Sequence, residues 1–199
     1  MLLTATILLA AAGLPQGQLV PKQRVVADYA ACLVRNSERS SLRLMETLPG
    51  SAEEARVARD VSVGGFPCLK GRRGLSLQTG AVRGAIAEAL FARDPAMLAV
   101  VRRVSAASPA RPPMNIDGRA FVIAYADCLV ASDPARSADL VSTEIGSATE
   151  RSAFLGYGEA LKRCMPERAS YRANVTDIRN HVAAALYRVA RSRTEAKNA

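Results

Sequence analysis

Four cysteines carry the most pointed chemistry in the sequence: Cys32, Cys68, Cys128 and Cys164. The first two lie 36 positions apart, and so do the last two. Four thiols allow three disulfide pairings, and they could also serve a metal, a redox centre or a nucleophile. A structural zinc site normally uses a close C-x₂₋₄-C pair, and a thioredoxin-like centre uses C-x-x-C; neither spacing occurs. A nucleophilic cysteine needs an activating base, and the chain has one histidine, His181. The equal spacing makes Cys32–Cys68 and Cys128–Cys164 the economical pairing. Closing a loop of this length stabilises a fold by about 4 kcal/mol in the chain-entropy picture.

His181 has no second histidine to join in a ligand set or triad, and it reads as a surface or half-buried helix residue. Ser51 with Glu54, and Ser147 with Glu150, could pass for serine–acid pairs. At a spacing of three, ahead of a helical pattern, they are better read as capping boxes, in which hydroxyl and carboxylate satisfy free N–H groups. Glu53 and Glu54 open a helix, where the dipole already accounts for negative charge. No H-E-x-x-H, G-x-S-x-G, S-x-x-K, Walker A or dinucleotide fingerprint is present, and the "GYG" at 156–158 lacks a phosphate-loop context. No catalytic, cofactor-binding or metal-ligating residue and no cofactor is expected.

The elements that must position the cysteines repeat. Residues 29–34 read "YAACLV" and residues 125–130 read "YADCLV". Nineteen residues of 25–91 recur 96 positions later without a gap, both cysteines, Glu54, Arg72 and Arg83 among them. This reads as a tandem duplication. In each copy Val26, Tyr29, Ala30 and Leu33, or Val122, Tyr125, Ala126 and Leu129, share one helical face, which places Tyr29 and Tyr125 in a core. A short helix follows, opened in the second copy by Asp133-Pro134. Then come the capped helix, a break holding the second cysteine, and a last helix with Val82, Ile86, Ala89 and Leu90, or Ile178, Val182, Ala185 and Leu186. Asp94-Pro95 marks a further helix start. No stretch alternates with period two. The expected fold is all-α: a roughly four-helix unit present twice, each with one internal disulfide. Unit 1 spans 22–104, a linker 105–118, unit 2 119–193, and a disordered tail 194–199.

Residues 1–18 read as a secretory signal peptide. An uncharged apolar run from Leu2 to Ala12 ends in small residues, with Ala10 and Ala12 or Ala11 and Gly13 as the cleavage pair. Export and disulfides agree on a periplasmic or extracellular address. No later segment is long and apolar enough to span a membrane. The net charge of +9 sits on the flanks: residues 25–92 carry +2 and residues 121–188 carry zero. That argues against a duplicated nucleic-acid-binding face, and points to an unidentified protein or an anionic envelope component as partner.

The "CLV"-like and "GSAEE"-like segments, the lone second cysteine and the "RGAIAEALF" helix resemble uncharacterised exported helical proteins of Gram-negative bacteria with a two-cysteine repeat. That group implies no activity. A more distant likeness, in architecture only, is to periplasmic acid-stress chaperones. The expected function is non-enzymatic: a protein-binding or envelope-maintenance module, with a periplasmic chaperone or an inhibitor of a secreted enzyme as the alternative. A carboxylate-based envelope hydrolase stands third: a concave pocket holding two close acidic side chains with perturbed pKa would raise it, and a featureless surface would sink it.

Overall fold

The computed structural model describes residues 22–69, 78–113, 118–166 and 175–198. The expected signal peptide, Arg72 and Arg168 therefore lie outside the described residues. Among those described there are ten α-helices, one 3-10 turn and no strand.

The first half holds α1 (Lys22–Asn36), α2 (Glu38–Glu46), α3 (Ala52–Gly64), a 3-10 turn (Phe66–Leu69), α4 (Thr79–Arg93) and α5 (Ala96–Arg102). The second holds α6 (Gly118–Ser132), α7 (Pro134–Ser142), α8 (Ala148–Leu155), α9 (Gly158–Cys164) and α10 (Val175–Asn198). The apolar stripe of α1 buries Val26, Tyr29, Ala30, Cys32, Leu33 and Val34. In α6 the residues 96 positions on are buried likewise. Ser51 and Ser147 cap α3 and α8, each hydroxyl accepting from the N–H three residues later at 3.0 Å. The turn into each cap needs a left-handed residue, supplied by Gly50 (φ 87°) and Gly146 (φ 79°). Asp133 caps α7 by accepting from Arg136 N, with Pro134 in the first turn.

Both expected disulfides are formed, one in each half. Cys32–Cys68 ties α1 to the 3-10 turn with a Cα–Cα distance of 5.6 Å. Cys128–Cys164 ties α6 to the end of α9 at 5.7 Å. Both separations are ordinary for a disulfide.

The halves share one core. α4 and α10 pack on each other more extensively than any other pair of helices, and the buried apolar cluster runs through both halves. At the crossing, a Cβ on Gly84 would come within 2.4 Å of the Asn180 backbone, so glycine is what allows the approach. Phe91 of α4 meets Tyr187 of α10 with ring centroids 6.3 Å apart. The segment after α5 lies along the second half: Ala107 N donates to Ala131 O at 2.8 Å, and Arg111 Nε donates to Arg163 O at 2.9 Å.

Two details differ from the sequence expectation. The second half holds five α-helices rather than about four, because "GYG" breaks one helix into α8 and α9, whereas the fifth helix of the first half, α5, is the one expected to start at Asp94-Pro95. Tyr157 is buried there, its hydroxyl donating to Ser137 Oγ at 2.7 Å. The expected disordered tail is helical through Asn198. Where Asp94-Pro95 separates α4 from α5, the positions 96 later are Ala190 and Arg191, which continue a helix without interruption. Arg191 also pairs with Glu195 one turn on, at 2.9 Å.

Candidate functional site

The polar centre of the molecule is built from the ends of short helices. A helix C-terminus leaves carbonyls without partners, and its dipole favours a cation. At the end of α2 that cation is Arg83, reaching across from α4. Its Nη1 donates to Leu44 O at 2.7 Å, and its Nη2 donates to Met45 O and Thr47 O, both at 2.7 Å. Nη1 also meets Thr47 Oγ1 at 3.0 Å and Glu54 Oε1 at 3.2 Å. Glu54, at the N-terminus of α3, accepts from Gly50 N at 2.8 Å and pairs with Arg119. One buried ion pair thus fastens the end of one helix to the start of the next and both to α4.

Arg179 of α10 does the same for α7 and α8. It donates to Val141 O at 3.0 Å, Thr143 O at 2.9 Å and Glu150 Oε1 at 2.9 Å. It also takes a second carboxylate from the opposite half: Nε donates to Glu88 Oε1 at 2.8 Å and Nη2 to Glu88 Oε2 at 2.9 Å. Burial pushes the Glu88 carboxyl above its ordinary range, the Arg179 hydrogen bond and charge oppose this, and Glu150 adds to it. For Arg179 burial favours loss of the proton, but Glu88 and Glu150 outweigh it and hold the proton more tightly than usual.

Glu88, Glu150 and Arg179 line a cavity of about 260 Å³ between α1, α4 and α10. In outline this is the concave site with two close acids that a hydrolase would need. The hydrogen bonds give the acids another task. Both Glu88 oxygens accept from Arg179, while the Glu150 oxygens accept from Arg179 and from Gly146 N at 2.7 Å. General-base chemistry wants a carboxylate oxygen aimed at a substrate proton, and these four are aimed into the protein's own frame. Among the described residues, no group of three or more His, Cys, Asp or Glu side chains is arranged to hold a metal.

The cysteines are all in disulfides. Tyr29 and Tyr125 are buried, and burial pushes the Tyr125 phenol up to about 12 while its hydroxyl donates to Leu161 O at 3.2 Å. His181 is partly buried on α10, against Gly80 and beside Glu54, Arg119 and Arg188. Arg83 and Arg179 stand in the sequence only as a repeat identity with no site role expected of them, and Glu88 is not part of any expected site. The available signal was an arginine on an apolar stripe: Arg83 shares the spacing i, i+3, i+4, i+7 with Ile86, Ala87 and Leu90, and Arg179 does so with Val182, Ala183 and Leu186.

His181 supports a pH prediction. Burial lowers its pKa below the ordinary 6.5, with Arg119 and Arg188 acting the same way and Asp177 and Glu54 opposing. A histidine whose folded pKa is depressed stays neutral in the native state while the unfolded chain takes up a proton. Its contribution is fully present above about pH 6.5 and is lost as pH falls through the folded value. The urea midpoint is therefore expected to fall on acidification below that pH, and His181→Ala, which copies Ala85 of the first half, is expected to flatten this component. An unchanged pH profile in the variant would remove His181 as its source.

No family model, curated protein or solved structure matches the chain.

Proposed function

We propose that the chain is an exported, non-enzymatic helical protein of two tandemly duplicated units, working as a protein-binding or envelope-maintenance module in the periplasm or outside the cell. The observation that carries this reading is the pair of disulfides, each closing the same 36-residue span in its own half. Two buried structural disulfides suit an oxidising compartment and are rare where thiols are kept reduced. The duplication is supported by helices that begin 96 positions apart: Glu38 and Pro134, Ala52 and Ala148. It also fits Gly84 meeting Asn180 and Phe91 meeting Tyr187, the contacts expected where two equivalent helices cross about a pseudo-two-fold axis. The non-enzymatic part rests on the commitment of Glu54 and Glu150 to helix starts and of both Glu88 oxygens to Arg179.

The test is alkylation and mass spectrometry of protein recovered from the envelope fraction. No free thiol is expected, and four alkylated cysteines would sink the proposal. Pull-down of the mature chain from envelope extract then identifies the partner.

The chaperone alternative is favoured by four large apolar side chains left in solvent, Leu48, Val63, Phe66 and Leu155, each 74–78% exposed. A holdase needs apolar surface to meet a client. Suppression of client aggregation in a light-scattering assay would select this reading, and its absence at both neutral and acid pH would remove it.

A further inference from the structure

Arg83 and Arg179 grip equivalent backbone, yet their Nε atoms end differently. Arg179 Nε meets Glu88 Oε1. Arg83 Nε, on a side chain 3% exposed, has no hydrogen-bond partner among the described residues. A buried N–H left without an acceptor carries a desolvation cost and calls for an explanation. The residue 96 positions after Glu88 is Ala184, and Ala184 and Arg83 line one small cavity.

The rest of that cavity has changed in the same sense. Arg119, His181 and Arg188 stand in it, where the positions 96 earlier are Gln23, Ala85 and Ala92. One acid is exchanged for alanine, and three uncharged residues for two arginines and a histidine. The acid that lines the cavity, Glu54, already serves Arg83 and Arg119, and Arg188 is paired with Asp127. Burial makes Arg83 hold its proton less tightly than usual; Glu54 resists this, and Arg188 and Arg119 add to it, the opposite of the net effect at Arg179.

We propose that this cavity is a binding site for a carboxylate group, which takes beside Arg83 the place that Glu88 fills beside Arg179. The sister site shows the geometry an arginine edge offers, with Nε and Nη2 each donating to one oxygen of the same carboxylate. The cavity itself, about 10 Å³, admits only one water-sized sphere. The ligand therefore enters by displacing Arg119, whose side chain is 44% exposed. Arg119, His181 and Gly80 also line the adjoining open depression of about 410 Å³, which gives the path. Once displaced, Arg119 closes over the anion as a second cation.

The carboxylate belongs either to a small free acid or to an acidic side chain of a partner. His181 is the sole histidine, so its ring signals report on this site directly. The experiment is NMR titration of the full chain with acetate, and separately with a terminally blocked peptide carrying one glutamate, at constant ionic strength. A saturable shift of the His181 signals is expected. Acetate binding as tightly as the peptide assigns the site to small acids, and saturation with the peptide alone assigns it to a partner's side chain. Ala184→Glu, which supplies the carboxylate from within, is expected to abolish the shift. Arg119→Gln, which copies Gln23 and alters a half-exposed side chain, is expected to weaken binding at least about tenfold, or 1.4 kcal/mol. No saturation with either probe, or an affinity unchanged in Arg119→Gln, overturns the proposal even if Ala184→Glu fails to fold.

Discussion

Replacing Arg179 with Met is expected to destabilise the protein by about 3–5 kcal/mol at neutral pH, the range seen when one member of a buried ion pair is removed. The guanidinium lies between two carboxylates with little access to water, Glu88 at 16% exposure and Glu150 at 7%. Without it both are stranded, and the carbonyls of Val141 and Thr143 lose their donor. The loss should shrink in acid. Burial already pushes the Glu88 carboxyl above its ordinary range against the pull of Arg179, so with the cation gone the native state takes up a proton there before the unfolded chain does. Stability of the variant then recovers as pH falls through that raised value. Arg83→Met is expected to cost less, because Glu54 keeps Arg119 and no second carboxylate is left behind. Urea midpoints of both variants across the acid-to-neutral range decide the matter. Equal losses, or a loss at Arg179 that ignores pH, would show that these arginines only fill space.

Much of the architecture was legible because its signals are local. The stripe of α1, the serine caps of α3 and α8 and the Asp133-Pro134 start each depend on residues within a turn or two of one another. The disulfide pairing was legible for a different reason, namely that two equal spacings leave little choice. The joining of the halves was harder to see, although a cue existed. In α10 every residue from Val182 to Tyr187 is buried, and in α4 every residue from Arg83 to Ala87. A helix buried on all sides packs between neighbours rather than on the flank of a separate unit. The end of α10 defies the expected disordered tail at 194–199, and the absence of a proline at 190–191 is the cue to its continuation. The Glu88–Arg179 pair had no sequence signature at all. Its partners are 91 positions apart, and the equivalent pair, Arg83 with Ala184, has no acid in it. What breaks the two-fold likeness is what local periodicity cannot report.

Removing the Cys128–Cys164 bond by Cys128→Ser/Cys164→Ser is expected to cost about 4 kcal/mol, and removing Cys32–Cys68 about the same, since both close loops of equal length. The informative variant lacks both. Were the halves independent domains, each lost disulfide would weaken its own half, and a single removal would split the unfolding curve into two transitions. The packing of α4 on α10 argues for one cooperative unit instead. Each single removal should then shift one sharp transition downwards, by about 2–4 °C per kcal/mol for a chain of this size. The two losses draw on the same stability, and about 8 kcal/mol is most of what a domain typically has, 5–15 kcal/mol. Differential scanning calorimetry is expected to show a single peak for either single variant and little or no cooperative transition for the double. Reduction should follow burial: Cys164 is fully buried and Cys128 nearly so, whereas Cys32 and Cys68 are 8% and 7% exposed. Mild reductant on the native protein is therefore expected to open Cys32–Cys68 first. Two separated peaks after that step would mean the α4–α10 contact does not couple the halves.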